Sequence, residues 1–272
     1  MIIQVRKDVP CVKEKVMQAA KVQYSDYSAW NPRQYLDEYY KDIAPDEQFC
    51  LKFLVESLQH LSHVPAALDV GSGPIISHLI PLVTRAEEIH ASEYIESNRI
   101  ELRKWLSAEA DAYDWSPFVL EILRMEGVLN PTPLDIQQRE EEVRKRVTQV
   151  LPGDVRESNP LGIDKQNFYS LVTAHYCAEG ISLNKDEWQI YMRNIMSLVR
   201  PGGVLITSAC GSGTFYRVGD SYFPSTELNP QDVLECFWSN GFVNLDIRVR
   251  DLPDYSEQGF FYTIFACGIK PI

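Results

Sequence analysis

The stretch Ala66–Pro74, A-A-L-D-V-G-S-G-P, constrains this chain more than any other. Ala67, Leu68, Asp69 and Val70 form a short, mostly apolar segment that enters Gly71-Ser72-Gly73, and an apolar run, Ile75–Val83, follows at once. That order predicts a buried strand, a tight turn and a helix, the opening of a doubly wound α/β unit. Gly71 and Gly73 are free to take positive φ and to let a ligand come close to the backbone, which a Cβ would block. Pro74 suits a first helical turn, where its missing N–H costs nothing.

G-x-G alone is only the start of the dinucleotide fingerprint, and Ile76 stands at its third glycine. A second signal strengthens it. The next strand, Glu88–Ser92, ends at Glu93, about twenty residues past the turn, where a carboxylate commonly accepts from ribose hydroxyls. NAD and S-adenosylmethionine both carry ribose, so this pair does not choose between them.

With 272 residues, the chain is long enough for one large α/β domain with a substantial core. Its formal charge of −12 and pI of about 4.9 would repel phosphate backbones, so nucleic acid is a poor partner. Six cysteines (Cys11, Cys50, Cys177, Cys210, Cys236, Cys267) show no C-x-x-C and no Cys/His metal spacing. Most are expected to be buried thiols in a reducing compartment. With neither a signal-peptide core nor an apolar run of membrane-spanning length, the expectation is a cytoplasmic protein with no membrane partner.

Residues 1–22 read as a short helix. Tyr24–Tyr40 is crowded with tyrosine, either core filling or a lid that stacks on a flat ligand. Pro45–Leu61 carries a helical apolar stripe. Helices are expected over Ile95–Leu106, from Asp111–Phe118 onward, over Arg139–Val147 as a solvated helix after a polar loop at 127–138, over Lys185–Val199 and over Asp232–Ser239. Val147–Leu151 and Phe168–Ala174 read as the third and fourth strands, and Arg200–Ser208 as a turn into the fifth. Phe242–Arg250 and Phe260–Ile269 alternate as an antiparallel closing pair. Ligands of open α/β sheets sit beyond the carboxyl ends of strands, which places His175, Tyr176 and Glu179 where chemistry would occur.

D-V-G-S-G-P, an acidic end to the second strand, Asp154-Val155 after the third and L-V-R-P-G-G before the fifth resemble class I S-adenosylmethionine-dependent methyltransferases. More narrowly, N-P-R-Q-Y-L-D-E-Y-Y, E-A-D-A-Y-D-W-S-P and N-P-L-G at Asn159–Gly162 are similar to the small-molecule branch containing nicotinamide, phenylethanolamine, indolethylamine and thioether methyltransferases. The similarity runs from about Tyr24 to Ile269. It implies a Rossmann-like methyltransferase fold: a sheet of about seven mostly parallel strands with an antiparallel closing strand, helices on both faces and a helical N-terminal lid. The expected division is one domain over 1–272, with residues 1–62 as cap and 63–272 as core.

The resemblance also implies roles. Tyr27, Tyr35 and Tyr40 would cover the cofactor, Gly71, Ser72 and Gly73 would flank its methionine part, and Glu93 would hold the ribose with Asn98 near the adenosine. Asp154 and Val155 would meet the adenine, and Ala174 would stand on the wall after the fourth strand. The cofactor is then S-adenosyl-L-methionine and the product S-adenosyl-L-homocysteine. After the fourth strand the chain has H-Y-C-A-E, which the resemblance reads as one residue inserted relative to the amine methyltransferases. After the fifth it has S-A-C-G-S-G-T, without the acid that relatives place there. Asp251, Asp254 and Glu257 are candidates to compensate.

The sulfonium methyl is already activated, so an enzyme of this kind has to align a neutral nucleophile and exclude water. Glu179 is the expected residue for binding and orienting a substrate amine. His175 is a second proton acceptor or else a packed histidine. Tyr24, Tyr176, Tyr216 and Asp254 are candidate substrate contacts, and no metal is expected. The function expected is N-methylation of a small-molecule amine by a monomer or weak dimer. An S- or O-methyltransferase and a non-catalytic S-adenosylmethionine-binding protein are the alternatives. D-W-S-P and the tyrosine segment do not fit a NAD oxidoreductase.

Overall fold

The computed structural model describes residues 4–6, 23–252 and 259–272. In chain order the elements are β1 (Gln4–Arg6), α1 (Pro32–Tyr39), α2 (Pro45–Gln59), β2 (Val64–Val70), β3 (Ala86–Glu93), α3 (Glu96–Leu106), α4 (Ser116–Met125), α5 (Pro133–Arg146), β4 (Val147–Pro152), β5 (Tyr169–His175), α6 (Lys185–Leu198), β6 (Val199–Gly211), β7 (Phe215–Val218), β8 (Ser221–Pro224), α7 (Pro230–Ser239), β9 (Val243–Asp251) and β10 (Tyr262–Ile269).

Seven strands form the expected sheet, with β1 added at its edge, in the order β1-β9-β10-β6-β5-β2-β3-β4. Neighbours from β6 to β4 are parallel, and β10 runs antiparallel to both β6 and β9. Period-2 alternation sends side chains to two cores. Ala67, Leu171, Ile206 and Phe265 join Leu36, Leu51, Leu54, Trp105, Phe118 and Val143 on one face. Leu68, Val172, Leu205 and Ala266 join Trp188, Ile195 and Phe237 on the other. Helices α1 to α5 therefore cover one face and α6 and α7 the second. The chain switches sides between β2 and β5, and the carboxyl ends of the parallel strands open there.

Several expectations are corrected. No α-helix follows the glycine turn; residues 74–80 are irregular turns and Pro81–Thr84 a short 3-10 helix. Pro81 would remove a helical hydrogen bond, β-branched Ile75 and Ile76 stiffen the start, and Pro74–Val83 is buried on every side, with no solvent face for an amphipathic helix. Helix α5 begins at Pro133, inside the expected loop, because Thr132 and Asp135 close a capping box around it. Residues 4–6 are a strand parallel to β9, and the rest of the helix expected over 1–22 lies outside the described residues. The β7–β8 hairpin was not expected at all. Of the cysteines, Cys50 and Cys236 are buried and Cys177, Cys210 and Cys267 partly so, all as free thiols, while Cys11 is outside the described residues. No helix among the described residues is long and apolar enough to cross a membrane.

Candidate functional site

The carboxyl ends of β2 to β6, the segment from Tyr27 to Glu47 and the β7–β8 hairpin enclose a cavity of about 210 Å³. Its floor is the glycine turn. Gly71 and Gly73 take φ of +67° and +58°, as expected, and the amides of Gly71 and Ser72 donate to the Ser92 carbonyl at 2.8 and 3.0 Å. The close approach at Gly71 comes from the protein itself: a Cβ there would fall 2.3 Å from Cys177 Sγ. Ser72 is buried beneath the cavity with its hydroxyl donating to the Asp69 carbonyl.

Glu93 joins turn to helix. Its Oε2 accepts from Gly73 N at 2.9 Å, and its Oε1 accepts from Ile95 N at 2.7 Å and from Asn98 Nδ2 at 3.2 Å. Burial pushes its carboxyl up and these donors oppose the rise. Three of its roughly four acceptor positions are engaged, leaving Oε2 with room for one more donor. Asp154 forms a two-pronged pair with Arg156, whose Nε and Nη2 reach it at 2.8 and 2.7 Å, and this hydrogen bonding holds the Asp154 carboxyl below the usual range. Arg156 also stacks on Tyr94, 4.4 Å from its centroid.

The tyrosine segment roofs the cavity. Tyr27 donates to the Gly180 carbonyl at 2.9 Å and stacks on Phe223. Trp30 packs on Tyr35 and donates through Nε1 to Asn98 Oδ1 at 2.7 Å, tying roof to floor. Tyr39 and Gly219 fasten α1 to the hairpin: the Tyr39 hydroxyl donates to the Arg217 carbonyl at 2.7 Å, and Gly219 N donates to Glu38.

Glu179 lies in the 3-10 turn Glu179–Ile181 after β5, buried, on the cavity wall. Its Oε1 accepts from Cys210 N at 3.0 Å, so it stands at the end of β6. Burial pushes its carboxyl up to about 7, against backbone hydrogen bonds from Cys210 and from its own residue. His175 is also buried on the wall; its Nδ1 sits 2.8 Å from Ser208 Oγ, and its Nε2 has no hydrogen bond among the described residues. Burial, then His78 beside it, hold its pKa well below the usual value, which makes proton acceptance there costly.

Among the residues singled out from sequence, Tyr27, Tyr35, Tyr40, Gly71, Gly73, Glu93, Asn98, Asp154, Val155, His175, Tyr176, Glu179 and Tyr216 line this one cavity. Ala174 does not line it, because its side chain points into the second core. Tyr24 is exposed at the rim, donating to the Thr214 carbonyl at 3.0 Å. Asp251 ends β9 and is not on the wall, and Asp254 and Glu257 lie outside the described residues. Sequence reasoning missed Trp30, Glu47, Arg156 and Cys210. Only Trp30 left a signal, inside the S-A-W-N-P-R run. The wall carries the carboxyl groups of Asp46, Glu47, Glu93, Asp154 and Glu179 against the guanidinium of Arg156, a surface that favours cationic ligands.

A model of the NNMT/PNMT/TEMT family matches residues 17–259. Nicotinamide N-methyltransferase of Homo sapiens is 32% identical over 213 residues, 76% of this chain and 79% of that protein. Indolethylamine N-methyltransferase of Oryctolagus cuniculus is 31% identical over 220 residues, covering 78% and 81%. The structure of Burkholderia thailandensis 1,6-didemethyltoxoflavin-N1-methyltransferase, solved with 1,6-didemethyltoxoflavin and S-adenosylhomocysteine, aligns at a TM-score of 0.51 and 16% identity over 90% of this chain and 89% of that one, a likeness of fold alone. The matched span takes in every element that builds the cavity up to Gly259, and on that extent and identity the chain belongs to the NNMT/PNMT/TEMT family.

Proposed function

We propose that this methyltransferase moves a methyl group from S-adenosylmethionine to the nitrogen of a small-molecule amine held by Glu179. The observation that carries this reading is a buried carboxyl on the cavity wall, raised to about 7 by burial and held by backbone hydrogen bonds from Cys210 and its own residue. An amine arriving as its ammonium ion finds there a partner that binds it when ionised and takes a proton from it readily.

The cavity suits the cofactor. It offers a glycine turn with positive φ, a carboxylate at the end of β3 with an open acceptor position, and walls whose charge favours a sulfonium. S-adenosylmethionine supplies the electrophilic methyl. In this reading Glu93 and Asn98 hold the ribose, Val155 and the Asp154–Arg156 pair border the adenine, and Tyr27, Tyr35 and Tyr40 close over the bound molecule. Glu179 orients the nitrogen and receives its proton. The segment 27–47 then acts as the cap, while β1 and most of α2, expected in a 1–62 cap, belong to the sheet and its first core. The aromatic roof keeps water from the reacting atoms, and Tyr176 and Tyr216 offer flat, largely apolar contact to the substrate body.

A panel of nitrogen compounds headed by nicotinamide and indolethylamine, the substrates named for the relatives, tests the reading beside thioethers, thiols and carboxylic acids; of these two only indolethylamine brings an ammonium ion to Glu179. Turnover is expected on an amine, with Glu179→Gln lowering kcat/KM by roughly 10²- to 10⁴-fold. Turnover of thioethers alone, or a Glu179→Gln enzyme of undiminished kcat/KM, would overturn it.

A further inference from the structure

Next to the cavity, on the α2 side, lies a cluster of buried polar side chains that amine methylation does not use. Glu47 and Cys50 stand one turn apart on one face of α2, and His78 comes from the irregular segment after the glycine turn. His78 Nε2 is 3.2 Å from Glu47 Oε2 and 3.8 Å from Cys50 Sγ. Ser77 Oγ donates to Glu47 Oε1 at 2.7 Å, fixing the carboxylate's orientation. All three side chains are buried, and one donor atom from each lies within 4.8 Å of the other two.

The crowding around the sulfur is the informative part. A buried thiol has one proton to donate and accepts weakly. Yet Cys50 Sγ has His175 Nδ1 and Ser208 Oγ each at 3.4 Å in addition to His78. Packing a small apolar thiol would call for carbon neighbours, not convergent polar ones. A metal held at Zn–N, Zn–O and Zn–S distances in a tetrahedral shell separates its ligands by roughly 3.3–3.7 Å, the range these separations straddle.

We propose that Glu47, Cys50 and His78 form a transition-metal site, and that zinc is the ion it takes. A thiolate, an imidazole and a carboxylate together suit zinc better than magnesium or calcium, which prefer oxygen alone. Glu47 and His175 both line the cavity, so the cluster borders an entry path, and a fourth ligand would have to come from that side. Three protein ligands plus an exchangeable fourth is the arrangement of zinc sites that keep a coordination position free. Bound there, the ion would cross-link α2 to the segment behind the glycine turn. Glu47 and His78 would exchange their direct ion pair for shared ligation.

Cobalt(II) reports on such a site independently of methyl transfer. The full chain, stripped with chelator and titrated with Co²⁺, is expected to bind a single equivalent and to develop a thiolate-to-cobalt charge-transfer band with tetrahedral visible absorption. Zn²⁺ should displace the cobalt and raise Tm in a saturable way. Cys50→Ser should abolish the charge-transfer band, His78→Gln should weaken Co²⁺ binding at least tenfold, and Cys236→Ser, on α7, should leave the band intact. The wild-type spectrum decides the matter even if a variant fails to fold. An absent band, octahedral absorption only, or a band that survives Cys50→Ser would leave Glu47 and His78 a buried ion pair and overturn the proposal.

Discussion

At the scale of single residues, the role proposed for Glu179 sets function against stability. Burial holds its carboxyl near 7 in the fold, whereas in the unfolded chain it returns to its ordinary 4.5. Above pH 7 the folded state therefore carries a buried charge that the unfolded state would hydrate, and the group weakens the fold. As pH falls through 7 towards 4.5 the folded form takes up its proton first and that penalty fades. Gln keeps an acceptor for Cys210 N and carries no charge. Glu179→Gln is accordingly expected to gain on the order of 1–3 kcal/mol at pH 8 and under about 1 kcal/mol at pH 5, by denaturant unfolding at each pH. A gain that is equal at both pH values would contradict the burial argument. The same ionisation should make wild-type kcat/KM for an amine fall as pH drops below about 7, because only the carboxylate binds an ammonium ion.

At the scale of elements, the roof depends on how α1 meets the β7–β8 hairpin. Gly219 has φ of +58°, donates its amide to Glu38, and would place a Cβ 2.2 Å from Gln34 Nε2. Gly219→Ala strains the turn by about 1–2 kcal/mol and displaces the Gln34 amide of α1 that packs on it, loosening the α1–hairpin contact. Hydrogen exchange is expected to speed up across residues 24–40 while the β2–β5–β6 centre stays protected, and KM for S-adenosylmethionine should rise about tenfold or less. Unchanged exchange in 24–40 would show that the hairpin does not hold the roof. This element contact could not be foreseen from residues 211–224, whose G-S-G-T-F-Y-R-V-G-D-S-Y-F-P has turn signals on both sides of two very short strands. Local pattern also failed at Ile75–Val83, where an unbroken apolar run is equally compatible with a helix and with fully buried irregular chain. It worked at α2, α3 and α6, which are long enough to expose a polar face and start with proline, acidic residues or an asparagine cap.

For the whole molecule, the cavity gathers groups from the cap, five strand ends and the hairpin, so its ligand should stabilise all of them together. S-adenosylhomocysteine at a hundredfold its Kd is expected to add about 2.7 kcal/mol, read as a rise of a few degrees in Tm, whereas NAD should add nothing. A shift with NAD alone would contradict the cofactor. The sequence by itself determined the sheet, because strand spacing, glycine turn and closing antiparallel pair are local patterns. Part of the cavity wall was legible too: Gly71, Gly73 and Glu93 from the strand-turn pattern, and Asn98 and Asp154 from the family resemblance. Only the tertiary structure decided that Glu179 stands against Cys210 at the end of β6, that Arg156 occupies Asp154, and that Glu47, Cys50 and His78 converge. Those pairings span from two to more than thirty residues, and apart from Glu47 and Cys50, one turn apart on α2, none leaves a periodic trace. Side-chain direction, burial and the path of the irregular 74–80 segment set them, and these exist only once the two cores have formed.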